Sequence, residues 1–578
     1  MSRTWQALIF DGQLWPTLGG CEVLPPSLLS RISVSAGPFV HSLQLEGATG
    51  LSAEDIVTIT SRISVVPHHA QSIQLQASVP IEHWCTNVTS INLVGCCGVT
   101  TRSLHKLLAS CPLLESLCLR GLSAVTNTTC IVIGDAHPRL ISLDLSRCSS
   151  LDAFGMTFIC EAVDRRRLVL DVTSPLKELR LSGVMRVSEW TLASIARAFP
   201  ALEVLDLSYC ANLVDACLER FTEWQEDDVP VSAAEMRKRY HASPTEDEDL
   251  TPYIELTSRQ IGLDPTDRAV YKRRVTRLRH LNVSHCPSLT DKACTHLAYA
   301  VPRLELLELG GIGPNLEDAG IVRLLKSTPL VRKLDLEDAS RITDDVITAL
   351  IPPTPLPGVQ LPTPITIPGQ AARPMSHKPR PIQTGERLEH LIVSYAGLLT
   401  PEMLGSLVRS CPKLHTLEAD NTRLSDSTVR EFVELQRARG THGSTLVVID
   451  CANVGRNLVD ELASKALTRP RAGWRGWHAR KLAYADAGDG DDVSGSWGSG
   501  LDECDDRRVT LKSFRSWQVV DKWTQERAKK IADASGSPSR EGGKSGSRWF
   551  GRRSSNPGSG ANTPRSVGDD DDRGCVIM

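Results

Sequence analysis

Cys111-Pro112-Leu113-Leu114-Glu115-Ser116-Leu117-Cys118-Leu119 is the stretch that decides the fold of this chain. Leu117 and Leu119 alternate with Ser116 and Cys118, the period of a short strand that turns one side to a core. Two aliphatic residues separated by one recur with first members Leu43, Ile73, Ile91, Leu117, Leu143, Leu179, Leu205, Leu281, Leu307, Leu334, Leu391, Leu417 and Leu446. The commonest step between them is 26 residues. A fixed period of this size marks stacked units that cannot bury their apolar faces alone. Leu114, three residues ahead of the pair, returns as Leu140, Leu176, Leu202, Leu278, Leu304, Leu388 and Leu414. Pro112, Pro138, Pro200, Pro302, Pro329 and Pro412 each lie five residues ahead of a strand leucine. Proline cannot continue the preceding amphipathic stretch, such as Ser103-Leu104-His105-Lys106-Leu107-Leu108, and so feeds the chain into the strand. Each unit reads as strand, turn, helix, which predicts an α/β solenoid with strands lining the inner face of an arc and helices the outer.

Cys96, Cys148, Cys210, Cys286 and Cys451 stand three residues after the second strand aliphatic, where other units carry small or apolar residues. Cysteine is small, readily buried and a weak hydrogen-bond donor, which suits a turn stacked on its neighbours. The alternative, a zinc site from Cys85, Cys96, Cys97 and Cys111, lacks paired C-x-x-C knuckles. We therefore expect no metal and no cofactor. Period, leucine spacing, proline and cysteine together resemble the cysteine-containing leucine-rich-repeat family, the subtype found in many F-box proteins. The resemblance spans residues 39–453 and implies a horseshoe of about 13 repeats.

Two steps are long. The insertion at 222–275 carries alternating charge blocks, including Glu226-Asp227-Asp228, Glu246-Asp247-Glu248-Asp249 and Lys272-Arg273-Arg274, and reads as solvated. The insertion at 352–385 holds ten prolines, which favours extended conformers over helix or sheet.

Residues 1–19 contain Trp5, Leu8, a Leu14-Trp15 pair and Leu18. They resemble the closing, helical portion of an F-box, truncated on its N-terminal side. That resemblance implies contact with a Skp1-like adaptor of a cullin ubiquitin ligase through Trp5, Leu8, Leu14 and Trp15. The physical alternative is an amphipathic cap over the open edge of the first repeat.

Residues 454–533 read as a Trp-rich cap and tail, with 510–532 a candidate amphipathic helix, and residues 534–578 as a disordered tail. The chain ends Gly574-Cys575-Val576-Ile577-Met578. This resembles a CaaX box: a prenyltransferase would alkylate the Cys575 thiolate while Val576 and Ile577 fill its apolar groove, and Met578 selects a farnesyl group. One lipid gives reversible membrane binding, and Arg548-Trp549-Phe550-Gly551-Arg552-Arg553 is a candidate second signal.

The 578 residues carry a formal net charge of -3, which nominates no nucleic-acid partner. With no signal-peptide pattern the 17 cysteines read as reduced thiols, so we expect a cytoplasmic protein held peripherally on a membrane by its lipid. No nucleophile–base pair or phosphate-cradling loop rises above the repeat, so we expect no catalysis. The residue between each aliphatic pair points outward on the concave face. Asp144, Arg180, Asp206, Asn282, Glu308, Asp335 and Glu418 hold such positions and predict a client protein with basic segments. Together these readings point to the substrate-recognition subunit of a Skp1–cullin–F-box ubiquitin ligase, with a prenyl-anchored scaffold lacking ligase coupling as the alternative.

Overall fold

Three-residue strands dominate the structure, a computed structural model that describes residues 10–19, 26–64, 85–224, 253–262, 266, 269–352, 382–441, 443–455, 457, 458, 462, 482–484 and 509–513. The chain divides into two units, Met1–Lys522 and Trp523–Met578, and all described residues belong to the first. In chain order the strands are β1 Thr17–Gly19, β2 Ser42–Gln44, β3 Ser90–Asn92, β4 Ser116–Cys118, β5 Ser142–Asp144, β6 Glu178–Arg180, β7 Val204–Asp206, β8 Tyr253–Thr257 and β9 Val270–Arg274. They continue as β10 His280–Asn282, β11 Leu306–Glu308, β12 Lys333–Asp335, β13 His390–Ile392, β14 Thr416–Glu418, β15 Thr445–Val447, β16 Leu482–Tyr484 and β17 Val509–Lys512.

All but β8 and β9 form one fifteen-stranded sheet, parallel from β1 through β15 to β17 and closed by antiparallel β16. The register is set leucine to leucine: Leu117 faces Leu143, Leu179 faces Leu205, and Leu205 faces Leu281 across the long insertion. These leucines and their partners two residues on, such as Leu119, Leu145 and Leu207, are buried in one continuous core with the inner faces of the helices. A single helix follows most strands, for example Thr101–Ala109 capped by Thr100 and Glu189–Ala198 capped by Ser188. Among the described residues no helix is long and apolar enough to cross a membrane.

Each turn after a strand is built alike. One residue takes the left-handed conformation: Gly47, Gly95, Gly121, Arg147, Gly183, Tyr209, His285, Gly311, Asp338, Tyr395, Asn421 and Asp450 in succession. In most of these turns its N–H donates to a carbonyl of the next repeat, as from Arg147 to Ser182 at 2.7 Å and from Tyr209 to Ser284 at 2.9 Å. The turn cysteines act as the sequence suggests. Cys96, Cys148, Cys210 and Cys286 donate to the carbonyls of Leu45, Leu119, Leu181 and Leu207 in the preceding repeat, at 3.0–3.4 Å. Burial lifts the Cys148 thiol to about 11 and the Cys286 thiol to about 12, which keeps both protonated and unreactive. Cys96 is thus committed to the turn, Cys111 accepts from Thr86 Oγ1, and Cys97 is exposed. Among the described residues no three His, Cys, Asp or Glu side chains gather as a metal cluster.

The structure corrects several expectations. Strand β2 pairs directly with β3, so Ile73 contributes no rung between them. The short step from Ile73 to Ile91 leaves too little chain for turn, helix and return. Residues 65–84 themselves lie outside the described residues. At the front, residues 10–19 form no α-helix: Gly12–Leu14 is a single 3-10 turn, and Leu18 faces Leu43 as a rung of the sheet. At the far end, Val509–Lys512 is a strand, not the start of a helix, because alternating Val509 and Leu511 complete the sheet against β15. Part of the charged insertion is also folded. Strands β8 and β9 form an antiparallel hairpin, with Arg273 and Arg274 buried rather than solvated. Arg273 Nη1 donates to the carbonyls of Thr295 and Ala298 at 2.6 and 2.9 Å, satisfying the C-terminal end of the helix Asp291–Leu297. Residues 225–252 and 353–381 lie outside the described residues.

Carboxylates at the first helical position tie repeat to repeat. Asp215 accepts from both the backbone N–H and the hydroxyl of Thr290, Asp318 does the same with Thr343, and Asp344 with Thr400, all at 2.6–2.9 Å. Each carboxylate therefore satisfies an orphan donor at the start of the next helix. We expect Asp318→Ala to lower unfolding stability by about 2–3 kcal/mol, two charge-assisted bonds lost together. A urea titration reads it as a shifted midpoint at unchanged slope, and an unshifted midpoint would discount the clamp.

Candidate functional site

The residues flanking each core leucine face away from the helices and are half-buried, in the repeated pattern seen at Ser142-Leu143-Asp144. Parallel pairing therefore brings into one row what the sequence spreads over hundreds of residues. Asp144, Arg180, Asp206, Asn282, Glu308 and Asp335 occupy six successive rungs, and Glu418 follows after Ile392. Successive rungs are about 4.8 Å apart, the spacing of residues along an extended partner to within a factor of two.

Several of these side chains also shape their own turns. Asp144, Asp206, Asn282 and Asp335 each accept the backbone N–H two residues on, from Ser146, Ser208, Ser284 and Glu337, at 2.9–3.0 Å. That Asx turn explains why Asp and Asn recur here, and it holds one side-chain oxygen in place while the row stays half-buried. Arg180 lies 3.3 Å from Glu178 on its own strand. Glu308 is a hub. It accepts from Asn282 Nδ2 and Lys333 Nζ, both at 2.9 Å, and His280 Nε2 stands 3.4 Å away. His280 lowers the Glu308 pKa most, burial opposes it, and Lys333 adds to the lowering, leaving the carboxyl at about 2. Glu418 is likewise lowered, chiefly by His390 at 2.9 Å.

Beyond the hub, negative charge outruns its partners. Burial raises the Asp335 pKa, and neighbouring Glu308 and Glu418 push the same way. Glu337 is raised by burial and by Asp335 and Asp338, and Asp420 by burial, Glu418 and Asp450. The lysines Lys333 and Lys512 and the imidazoles of His285 and His390 are the groups that lower these carboxyls. Such a face can hold guanidinium or ammonium groups of a partner.

Sequence reasoning missed the turn row beside this face. Arg147, Tyr209, His285 and Tyr395 occupy a left-handed position that five other repeats fill with glycine. The signal was present: Gly47, Gly95, Gly121, Gly183 and Gly311 recur at one place in the period, and recurrent glycine there implies positive φ. Of the adaptor residues, Leu14 is exposed on its 3-10 turn and Trp15 packs partly against the core. Trp5 and Leu8, and the tail with Cys575, Val576, Ile577 and Met578, lie outside the described residues.

The leucine-to-leucine register decides the architecture. The chain repeats one strand–turn unit whose core positions are leucine on nearly every rung. No family model matches it, and no curated protein does. Among solved structures, a chain of the Rad7 and Elc1 complex in yeast is similar at 15% identity over 62% of this chain and 81% of that one, with a TM-score of 0.32. The leucine-rich repeat-containing protein LegL7 from Legionella pneumophila is similar at 13% identity over 72% of this chain and 96% of that one, with a TM-score of 0.31. The strand register carries the assignment without them.

Glu308 makes the face pH-sensitive with a definite sign. Its folded pKa lies below its unfolded value, so its contribution is complete above about 4.5 and lost as pH falls toward about 2. Glu308→Gln is expected to flatten the acid limb of the stability profile in that window and to leave its shape above the window unchanged. Chemical denaturation at stepped pH measures it, and an identical acid limb in wild type and variant would refute the assignment.

Proposed function

We propose that this chain is a non-catalytic receptor whose polar sheet face, curved as a horseshoe, holds basic segments of client proteins. The observation that carries the reading is the row from Asp144 to Glu418 on neighbouring rungs, with the underpaired carboxyls Asp335, Glu337 and Asp420 beside it. Carboxylates so placed steer cationic segments into encounter and discriminate against acidic ones.

In its finer form the reading makes the chain the substrate-recognition subunit of a Skp1–cullin–F-box ubiquitin ligase. The F-box resemblance of Trp5, Leu8, Leu14 and Trp15 supports this, and the exposed Leu14 leaves an apolar side chain open to an adaptor. The CaaX-like ending at Cys575 supports attachment to the cytoplasmic side of a membrane by a prenyl group. A prenyl-anchored scaffold without ligase coupling is the second reading, favoured by the place of Leu18 in the sheet, where it serves the repeats rather than an adaptor.

One pull-down separates them. Tagged full-length chain, alone and extended upstream, should recover a Skp1-like adaptor together with basic clients. Asp206→Lys with Asp335→Lys should lose the clients and keep the adaptor. Adaptor absent from both preparations removes the ligase reading, and clients retained by the double variant remove the sheet-face reading. In cell fractionation, Cys575→Ser should shift the protein from membranes to the soluble fraction, and an unchanged distribution would dismiss the lipid.

A further inference from the structure

The turn edge of β5, β6, β7 and β10 carries a surface of different chemistry from the sheet face. Tyr209 and His285 stack face to face, with ring centroids 4.5 Å apart and planes 21° from parallel. Arg147 Cζ lies 5.6 Å from the Tyr209 centroid on the cation–π range. All three residues hold left-handed backbone, φ +57° to +59°, where side chains are disfavoured and glycine serves elsewhere in the array. The stack ends at glycine on its far side. A Cβ at Gly311 would fall 2.2–3.0 Å from the His285 ring, so the missing side chain is what lets the ring lie there.

Around the stack, large apolar groups face solvent. Phe154, Met185 and Trp190 are 56%, 63% and 67% exposed, and Tyr209 is 51% exposed. Phe154, Met185 and Tyr209 are linked through their turns, the Ala153 N–H donating to the Met185 carbonyl at 2.9 Å and the Gly183 N–H to the Ser208 carbonyl at 2.7 Å, and Trp190 stands in the first turn of the helix Glu189–Ala198 that follows Met185. Tryptophan, tyrosine and arginine on a rigid support are the composition of a binding hot spot, not of ordinary solvated surface.

The charges at this edge say what kind of partner fits. Arg120, Arg147 and Arg186 are exposed. The nearby acids are already engaged: Asp152 accepts from Asn127 Nδ2 and the Phe154 N–H and lies 3.9 Å from Arg186, Asp215 clamps Thr290, and exposed Glu189 lies 3.8 Å from Arg220. Around the stack the edge therefore presents the exposed Arg120 and Arg147 together with aromatic rings. We propose that it is a second docking surface, and that it takes a polypeptide segment with apolar side chains set beside acidic ones. A lipid surface would use the arginines and Trp190, but it has no fixed shape to reward a stack held on unfavourable backbone.

The test uses the full-length chain and a displayed library of random peptides. Selected sequences should combine Asp or Glu with Leu, Phe or Trp. A synthetic peptide of the leading sequence should bind at least about tenfold more weakly to Trp190→Ala and to Tyr209→Gly. Tyr209→Gly puts glycine where positive φ favours it, so its melting temperature should hold or rise, which separates lost binding from lost folding. Selection of basic sequences, failure to select any, or undiminished binding by Tyr209→Gly would overturn the proposal. So would phosphatidylserine vesicles that bind through Trp190 equally well with or without the Tyr209 ring, since that would assign the edge to lipid.

Discussion

Everything in the array depends on the parallel pairing of strands only three residues long. A strand so short has no independent stability, and its N–H and C=O groups are satisfied only when the next rung is in place. The core makes the same demand, because each leucine pair is covered by the pairs before and after it. Register cannot slip by one residue, since that would turn Leu117 or Leu205 to solvent and bury a neighbour such as Asp206. Turn cysteines, left-handed N–H groups and Asp–Thr clamps all act across the same boundary, so each repeat is finished by its neighbour.

Ends and insertions follow from that dependence. An open terminal rung exposes a backbone edge, which natural sheets cover or close. Here β1 covers one end of the repeats, and β17 with antiparallel β16 covers the other. Long insertions are tolerated because they leave between a helix and the next strand, and β7 still meets β10 in register across one of them. The β8–β9 hairpin contributes to the fold it interrupts, since buried Arg273 caps a helix of the following repeat.

Parallel register also sorts chemistry into rows. One row holds half-buried acids whose side chains brace the turns that follow their own strands. The next row holds the left-handed residues, where glycine costs least and side chains impose strain. Retaining Arg147, Tyr209 and His285, with Gly183 on the rung between the first two, gives up conformational ease for an ordered, exposed stack. Two rows of different chemistry thus lie along one array, each written by a different position of the repeat.

The sequence alone determined the unit. Leucine alternation, the proline before each strand and the turn cysteine are local signals, because each reflects the needs of a single strand, helix end or turn. Twelve of the thirteen aliphatic pairs became rungs for that reason, and the outward direction of Asp144 or Glu308 followed from the period of two. Only the tertiary structure decided what counts as the next rung. Ile73 has the local pattern without room for a repeat, whereas Leu18 lacks a second aliphatic two residues on yet pairs with Leu43. It also decided which charges are free, because Arg273 and the clamp aspartates resemble any surface charge until the helix end beside them is placed. Contacts across repeats join residues far apart in the chain, and no local periodicity can report which of them meet.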